Sequence, residues 1–243
     1  MASIAVYSVK GGVGKTTLAV KLAWCSASIS RRKTLLWDLD AANGSGFLLN
    51  VDPKKKRSAD SMFAEGGDPA KLIQPTAFPG LDLLPADESI RAVDRTLDRI
   101  GKKKRLAKLT AALGKDYDRI IFDCPPVLNE LSAQIIRAAD LIIVPLPPSP
   151  LSARAFEVVV EEVRGAGKGH PPILPLLAML DLRRSLHKEA RDANPNWPAI
   201  PLASAVEQCA VERKPAGAFA PRSPAARAIA QLWTAIERKL ADK

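Results

Sequence analysis

The chain has 243 residues, with 36 Lys or Arg against 26 Asp or Glu, so its formal net charge is +10. Hydrophobic residues make up 47% and charged residues 26%, values that argue against a disordered or collagen-like chain. No apolar run approaches the roughly 18 residues of a membrane span, and residues 1–7 lack a secretory signal. Three cysteines without a CxxC pair disfavour a disulfide framework and a four-cysteine zinc site. The positive charge points to a polyanionic partner: DNA, RNA or anionic lipid.

Short runs rich in Ile, Val and Leu alternate with longer amphipathic segments along the chain. The short runs predict buried strands at residues 3–8, 34–38, 81–84, 119–123, 141–144 and 174–180. The amphipathic segments predict helices at residues 16–30, 88–113, 130–138, 150–164, 185–192 and 224–240. Ser149 and Pro150 predict the N-cap and the first turn of one of these helices. Repeated βα units predict an α/β fold, a doubly wound and mostly parallel sheet with helices on both faces, as a single domain over residues 1–243.

A glycine-rich segment, SVKGGVGKTT at residues 8–17, joins the first predicted strand to the first predicted helix. Glycines let backbone N–H groups turn toward phosphate oxygens, and the helix N-terminus adds positive potential. In such a phosphate loop we expect Lys15 to reach the β- and γ-phosphates and the Thr16 hydroxyl to bind Mg²⁺. Thr17 is expected to contact the α-phosphate. The usual pattern, GxxxxGK followed by Ser or Thr, has glycine where this chain has Val9.

Lys10 stands directly before the glycine pair, and the run KGGVGKT resembles the fingerprint of the ParA/MinD family of deviant Walker-A ATPases. The resemblance implies a P-loop NTPase fold, with ATP and Mg²⁺ as cofactors. It also implies an ATP-dependent homodimer in which Lys10 touches the phosphates held by the other subunit, as an arginine finger does. The nucleotide-binding residues implied for the loop are Lys10, Gly11, Gly12, Val13, Gly14, Lys15, Thr16 and Thr17.

Two predicted strands end in aspartates: Asp38 and Asp40 at one, Asp123 at the other. Carboxylates at the C-terminal ends of parallel strands face the crevice where ligands bind. The two segments resemble the DxD element (switch I) and the DCPP element (Walker B and switch II) of the family. The resemblance implies that Asp40 positions the attacking water; Ala41 and Ala42 depart from the Pro-Gln that often follows. The implied catalytic residues are Lys10, Lys15 and Asp40, and the implied metal-site residues are Thr16, Asp38 and Asp123.

Two later segments resemble the family loops that flank the adenine, a TMxD strand end and an IPR turn. The resemblance makes Met179, Asp181 and Pro201 candidate base-pocket residues. Ala178 and Leu202 replace the Thr and Arg of the family pattern, so this signal is weaker than the phosphate loop. A plain structural role for Met179 stays open beside a base contact.

Basic residues form several clusters, including KKKR runs at residues 54–57 and 102–105 that are typical of solvated segments. Positions 184, 188 and 191 share a helix face by their spacing. The corresponding region of ParA relatives borders the DNA-binding surface of the dimer, so the resemblance implies non-specific DNA binding that dimerisation strengthens. The candidate DNA-binding residues are Arg183, Arg184, Lys188, Arg191, Arg213, Lys214 and Arg222.

The last predicted helix carries an apolar stripe, which has two interpretations. MinD relatives bind anionic lipid with such a helix, whereas the final helix of ParA relatives docks on its own domain; we favour docking. The stripe consists of Ile229, Leu232, Trp233, Ile236 and Leu240. Because the first strand begins at once, we expect no N-terminal helix-turn-helix and no operator-specific binding.

These features together predict a ParA-like ATPase, cytoplasmic and associated with the nucleoid. Its ATP-bound dimer is expected to bind DNA without sequence preference until a ParB-like or other cargo adaptor stimulates hydrolysis. The cargo stays open: a plasmid, a chromosome or a protein assembly. The alternatives are a MinD-like positioning ATPase on a membrane and a small-molecule enzyme of the amidoligase type.

Overall fold

An eight-stranded sheet forms the centre of the computed structural model, which describes residues 1–54, 58–64, 67–100, 104–167 and 169–241. The strand order within these residues is β3-β4-β2-β5-β1-β6-β7-β8, and the neighbours are parallel except for the antiparallel pair β3–β4. The strands are β1 (Ala2–Val6), β2 (Thr34–Asp38), β3 (Gln74–Pro75), β4 (Leu81–Leu84), β5 (Arg119–Asp123), β6 (Leu141–Leu146), β7 (Ile173–Leu180) and β8 (Ala199–Pro201).

Helices cover both faces of this sheet, so the central strands are buried on both sides. In and beyond β1, Ile4 and Val6 belong to one core layer, whereas Ala5 and Tyr7 belong to the other, because successive side chains alternate across a strand. The helices are α1 (Lys15–Ser28), α2 (Gly44–Leu49), α3 (Val93–Ile100), α4 (Arg105–Leu113), α5 (Glu130–Ala138), α6 (Pro150–Gly165), α7 (Ser185–Ala193), α8 (Ser204–Glu212), α9 (Ala216–Phe219) and α10 (Pro224–Ala241).

The predicted doubly wound, mostly parallel sheet is confirmed, and the six predicted strands lie within about two residues of the observed ones. Ser149 caps α6 as predicted: its hydroxyl accepts a hydrogen bond from the Ser152 backbone N–H, and Pro150 is in the first turn. The single helix predicted at residues 88–113 is wrong. A 3₁₀ turn, Glu88–Ala92, precedes α3, and α4 starts anew at Arg105. The sequence between the two helices is GKKK, in which the glycine has poor helix propensity and the three lysines repel one another; its first three residues lie outside the described ones.

Three described helices were not predicted at all: α2, α8 and α9. The segment of α2 reads as a loop because Asn43, at its N-cap in the left-handed region, precedes two glycines, Gly44 and Gly46. In α9, Gly217 is in close contact with the Trp24 ring, where an added Cβ would lie 2.2 Å from a ring carbon. Tertiary contacts and not local propensity therefore place these short elements.

The apolar stripe of α10 faces the protein's own core. Its four central members are buried, Leu240 packs beside them, and the Trp233 indole N–H donates a hydrogen bond to the Ser30 hydroxyl at 2.8 Å. Docking of the last helix on its own domain is thereby confirmed. Among the residues that the structure describes, no helix has the length and apolarity of a membrane span.

Candidate functional site

The phosphate loop connects β1 to α1 at the carboxyl edge of the sheet. Gly12 (φ +71°) and Gly14 (φ +87°) adopt left-handed backbone conformations, which glycine reaches without strain. A Cβ added at Gly11 or Gly12 would meet no atom within 4 Å, so both glycines border open space, while Val13 is buried and anchors the loop. The loop therefore has the shape that an anion needs at the N-terminus of α1.

The two lysines of the loop occupy different places. The Lys15 ammonium folds back over the loop and donates to the Lys10 carbonyl oxygen at 3.1 Å. Burial lowers the pKa of Lys15, and the charge of Asp123 opposes that effect. The Lys10 ammonium points away from the loop and donates to the hydroxyls of Ser149 (3.3 Å) and Ser152 (3.0 Å) at the start of α6. Lys15 thus occupies its own phosphate loop, whereas Lys10 does not.

The predicted metal-site residues lie together beside the loop. Asp38 and Asp123 are register partners at the ends of β2 and β5. The Thr16 hydroxyl donates to one oxygen of Asp123 at 3.2 Å, and the Ser45 hydroxyl donates to the other at 2.9 Å. The Ser45 and Asp40 backbone N–H groups each donate to one oxygen of Asp38, both at 3.0 Å. Ser45 was not predicted because its helix, α2, was not; a hydroxyl seven residues after Asp38 was its one sequence signal.

Burial controls the electrostatics of these two carboxylates. Both are fully buried, and desolvation raises the pKa of Asp123 to about 6. Desolvation, and then repulsion by Asp123, holds the pKa of Asp38 well above its usual range. Two carboxylates and a hydroxyl, all hard oxygen donors, suit Mg²⁺, and a divalent cation relieves their repulsion. When bound there, Mg²⁺ neutralises charge on the phosphate oxygens.

Asp40, the predicted water-positioning residue, lies just beyond these ligands at the start of the switch segment. It is half-buried, and one of its carboxylate oxygens accepts a hydrogen bond from the Ala42 backbone N–H at 3.0 Å. Its charge raises the pKa of Asp123 and of Lys15, which places it within electrostatic range of both. The structure therefore brings Asp40 to the phosphate end of the site.

A cavity of about 140 Å³ beside the loop contains two of the three candidate base-pocket residues, Met179 and Pro201. Met179 has φ +54°, a strained conformation for a residue other than glycine, at the point where the β7–β8 register shifts. Its methyl carbon would lie 3.3 Å from a Cβ added at Gly14. Asp181 does not line this cavity. Arg183 holds both of its oxygens, at 2.8 and 2.9 Å, and lowers its pKa to about 2.

Three of the candidate DNA-binding residues make contacts with other groups of the protein. Arg183 pairs with Asp181, Arg191 donates to the Trp197 carbonyl oxygen at 2.6 Å, and Arg213 donates to the Phe47 carbonyl oxygen at 2.9 Å. Arg183 is exposed in spite of its ion pair, and Arg184, Lys188, Lys214 and Arg222 are exposed as well.

The KKKR runs fall partly outside the described residues, which exclude 55–57 and 102–103. The described end of the first run, Lys54, donates to the carbonyl oxygens of Lys71 and Ile73. Arg105, at the end of the second run, donates to the carbonyl oxygens of Met62 and Ala64. Both of these side chains bind the protein's own backbone.

Comparison with known proteins agrees with this geometry. Residues 1–170 match the family model described as an AAA domain. The sporulation initiation inhibitor protein Soj of Bacillus subtilis is 30% identical over 189 residues, 75% of this chain and 74% of Soj. The chromosome partitioning protein ParA of Caulobacter vibrioides is 30% identical over 204 residues, 80% of this chain and 76% of that protein. The solved cobyrinic acid a,c-diamide synthase of Mycobacterium smegmatis, with bound ADP and magnesium, is 25% identical with a TM-score of 0.83, covering 99% of this chain and 96% of that one.

A deviant phosphate loop, two acidic strand ends and these relatives together identify the chain. It belongs to the ParA/MinD family of P-loop ATPases, with ATP as substrate and Mg²⁺ as metal.

Proposed function

We propose that this chain is a ParA-type partition or positioning ATPase, in which ATP pairs two chains face to face and hydrolysis separates them. The position of Lys10 carries the proposal. Its ammonium lies outside its own phosphate loop, on the hydroxyls of Ser149 and Ser152, while Lys15 occupies the loop. Because the Lys10 ammonium lies away from its own phosphate loop, it is available to the phosphates of a second chain. There it stabilises the charge of the transferring phosphoryl group.

Exposed leucines support a face-to-face dimer. Large apolar side chains follow the carboxyl ends of β5, β6, β7 and β8, the strands on either side of β1 and its phosphate loop, and each is about half exposed or more. They are Leu128 after β5, Leu151 after β6, Leu182 after β7 and Leu202 after β8. A surface with several exposed leucines around one site is typical of an interface. Pairing through this edge would cover them and bring Lys10 toward the partner's loop.

Within each site the side chains divide the work of hydrolysis. Lys15 and the loop hold the phosphates, and Thr16, Asp38 and Asp123 hold Mg²⁺. Asp40 orients the attacking water, and Lys10 arrives from the partner subunit. Loss of the γ-phosphate then removes the preference for the dimer, which is a shift of population between two states.

The exposed basic residues are the proposed DNA contacts. Arg184, Lys188, Lys214 and Arg222 are exposed, and the net charge is +10. A dimer presents twice the number of phosphate contacts, so its DNA affinity rises steeply without any base-reading element. We infer that residues 1–243 act as one ATPase domain that associates with the nucleoid in the cytoplasm. A ParB-like or other cargo adaptor would stimulate hydrolysis.

The test is retention on immobilised DNA with ADP, ATP and non-hydrolysable ATP across a salt series. We expect retention with the triphosphates only, falling steeply with salt. Lys10→Ala and Lys15→Ala are expected to lose both retention and ATP-dependent pairing. Equal retention with ADP, or pairing that survives Lys10→Ala, contradicts the proposal.

Two alternatives are distinguished by simple assays. The likeness to a cobyrinic acid a,c-diamide synthase keeps a small-molecule amidoligase as the second candidate, and ADP release that requires an acid and an amide donor but no DNA would favour it. A MinD-like membrane function is disfavoured because the apolar stripe of α10 is buried. Pelleting with anionic liposomes in the presence of ATP would reverse that preference.

A further inference from the structure

A buried lysine in α1, Lys21, has no part in the site described so far. It is 3% exposed, so its side chain is largely removed from water. Burial lowers the pKa of Lys21. Among the described residues, Cys209 and Cys25 act in the opposite direction and raise this pKa. Burial also raises the pKa of the Cys25 thiol to about 12, so that thiol supplies no negative charge at neutral pH. Thiols are weak hydrogen-bond acceptors, so burying an ammonium beside them is costly.

Lys21 lies on the wall of the cavity that holds Met179 and Pro201. The N-cap of α1 and three residues of the helix line this cavity at spacings of three, four and seven, which places them on one face of the helix. They are Gly14, Thr17, Leu18 and Lys21. Because an α-helix rises 1.5 Å per residue, Lys21 is about 6 Å along the helix from Thr17, the residue expected at the α-phosphate. A nucleotide that has its phosphates in the loop and its base in this cavity would therefore lie along the face that carries Lys21.

The rest of the cavity wall offers few groups that recognise a base. Most of its side chains are apolar, contributed by α1, β7, β8, α8 and α10, and the two other polar side chains are Thr17, near the phosphates, and Glu207. Glu207 is exposed, on the rim. Adenine has ring nitrogens that only accept hydrogen bonds, and an ammonium group only donates. The donor that Lys21 supplies is complementary to these nitrogens.

We propose that the Lys21 ammonium donates a hydrogen bond to a ring nitrogen of adenine and is a specificity-determining residue of the ATP site. The inference rests on the proposed placement of the base in this cavity. A ring nitrogen is a stronger acceptor than a thiol, so base binding relieves the cost of the buried cation. A hydrogen bond to a charged group changes affinity by at least about tenfold.

The experiment measures binding of ATP and of three analogues in which carbon replaces one ring nitrogen: 1-deaza-ATP, 3-deaza-ATP and 7-deaza-ATP. Calorimetry with the full-length chain and Mg²⁺ gives each affinity. We expect one analogue to bind wild type at least about tenfold more weakly than ATP. Lys21→Met, which keeps the length and volume of the side chain, should bind ATP about tenfold more weakly and no longer distinguish that analogue. Inorganic triphosphate, which has no base, should bind both chains equally.

Lys33→Met is the matched control, because it removes one exposed lysine just before β2 and should leave the analogue series unchanged. The wild-type series is informative even where Lys21→Met fails to fold. Wild type that binds all three analogues as tightly as ATP overturns the inference, and so does Lys21→Met that keeps the wild-type discrimination. Loss of ATP-dependent DNA retention in wild type would refute the proposed function and leave the analogue result standing.

Discussion

Replacing Asp123 with Asn should change how the stability of the metal-free chain depends on pH. Asp123 is fully buried beside Asp38, and its pKa lies at about 6, above the ordinary value of 3.8. Between these two values the folded chain holds a proton that the unfolded chain has released. Stability therefore falls as pH rises through this window, because the unfolded state binds fewer protons. Asp123→Asn removes this titration and keeps a side chain of the same shape.

The size of the effect follows from the two pKa values. Each pH unit between 3.8 and about 6 corresponds to about 1.4 kcal/mol, so ionising Asp123 in the fold costs about 3 kcal/mol. The unfolding free energy of wild type minus that of Asp123→Asn should fall by about this amount from pH 4 to pH 7. Loss of repulsion on Asp38 in the variant acts in the same direction, since Asp123 also raises the pKa of Asp38.

Urea unfolding at several pH values, with EDTA and without nucleotide, gives the difference directly. Asp116→Asn, which removes an exposed carboxylate before β5, controls for the loss of one charge. Adding Mg²⁺ and ADP at pH 7 should stabilise wild type more than Asp123→Asn, since the cation favours the ionised carboxylate. A difference that stays constant between pH 4 and pH 7, or that increases, would refute the assignment of desolvation as the main cause.

Three further variants test the switch residues. Asp40→Ala should bind ATP and DNA and fail to hydrolyse, so phosphate release falls at least about a hundredfold with unchanged DNA retention; normal turnover removes Asp40 from its role. Ser45→Ala deletes the 2.9 Å hydrogen bond to Asp123, so the Mg²⁺ concentration that half-saturates ATPase activity and nucleotide binding should rise about tenfold. Ser45→Thr keeps a hydroxyl and should restore the wild-type Mg²⁺ requirement. An unchanged Mg²⁺ requirement in Ser45→Ala contradicts the geometry. Ser152→Ala removes the shorter hydrogen bond that holds the Lys10 ammonium in the single chain. Sedimentation with non-hydrolysable ATP should therefore show pairing at a several-fold lower protein concentration. Weaker pairing would mean that this contact persists in the dimer.

The central strands and the phosphate loop were predictable because each has a local cause. Strands buried on both faces have a continuously apolar centre, such as Ile120, Ile121 and Phe122 in β5, and a loop that cradles phosphate needs glycine at positive φ. No local sequence feature of this kind specifies the helix α2. Asn43, Gly44 and Gly46 look like a turn, and the contacts of Ser45 with two strand ends hold the segment.

For the charged residues the sequence pattern is misleading in the opposite way, because it predicts a shared basic helix face that the fold does not provide. Positions 184, 188 and 191 share a face by spacing, yet Arg184 precedes α7 and Arg191 turns back to Trp197. Lys21, a charged residue in the first helix, is buried at a cavity wall. A long flexible side chain takes the partner that the tertiary fold offers, and that partner is distant in the sequence.

Both ends of the nucleotide site meet at α2. At the phosphate end, Ser45 binds Asp123, which accepts the Thr16 hydroxyl of α1. At the other end, Arg213, just after α8, donates to the Phe47 carbonyl oxygen and lies over the Phe47 ring, 4.8 Å from its centre. Because α8 also lines the cavity proposed for the base, α2 contacts the phosphate end through Ser45 and the segment after α8 through Phe47. The two ends of the proposed nucleotide site are therefore joined by a continuous set of side-chain contacts through this short helix.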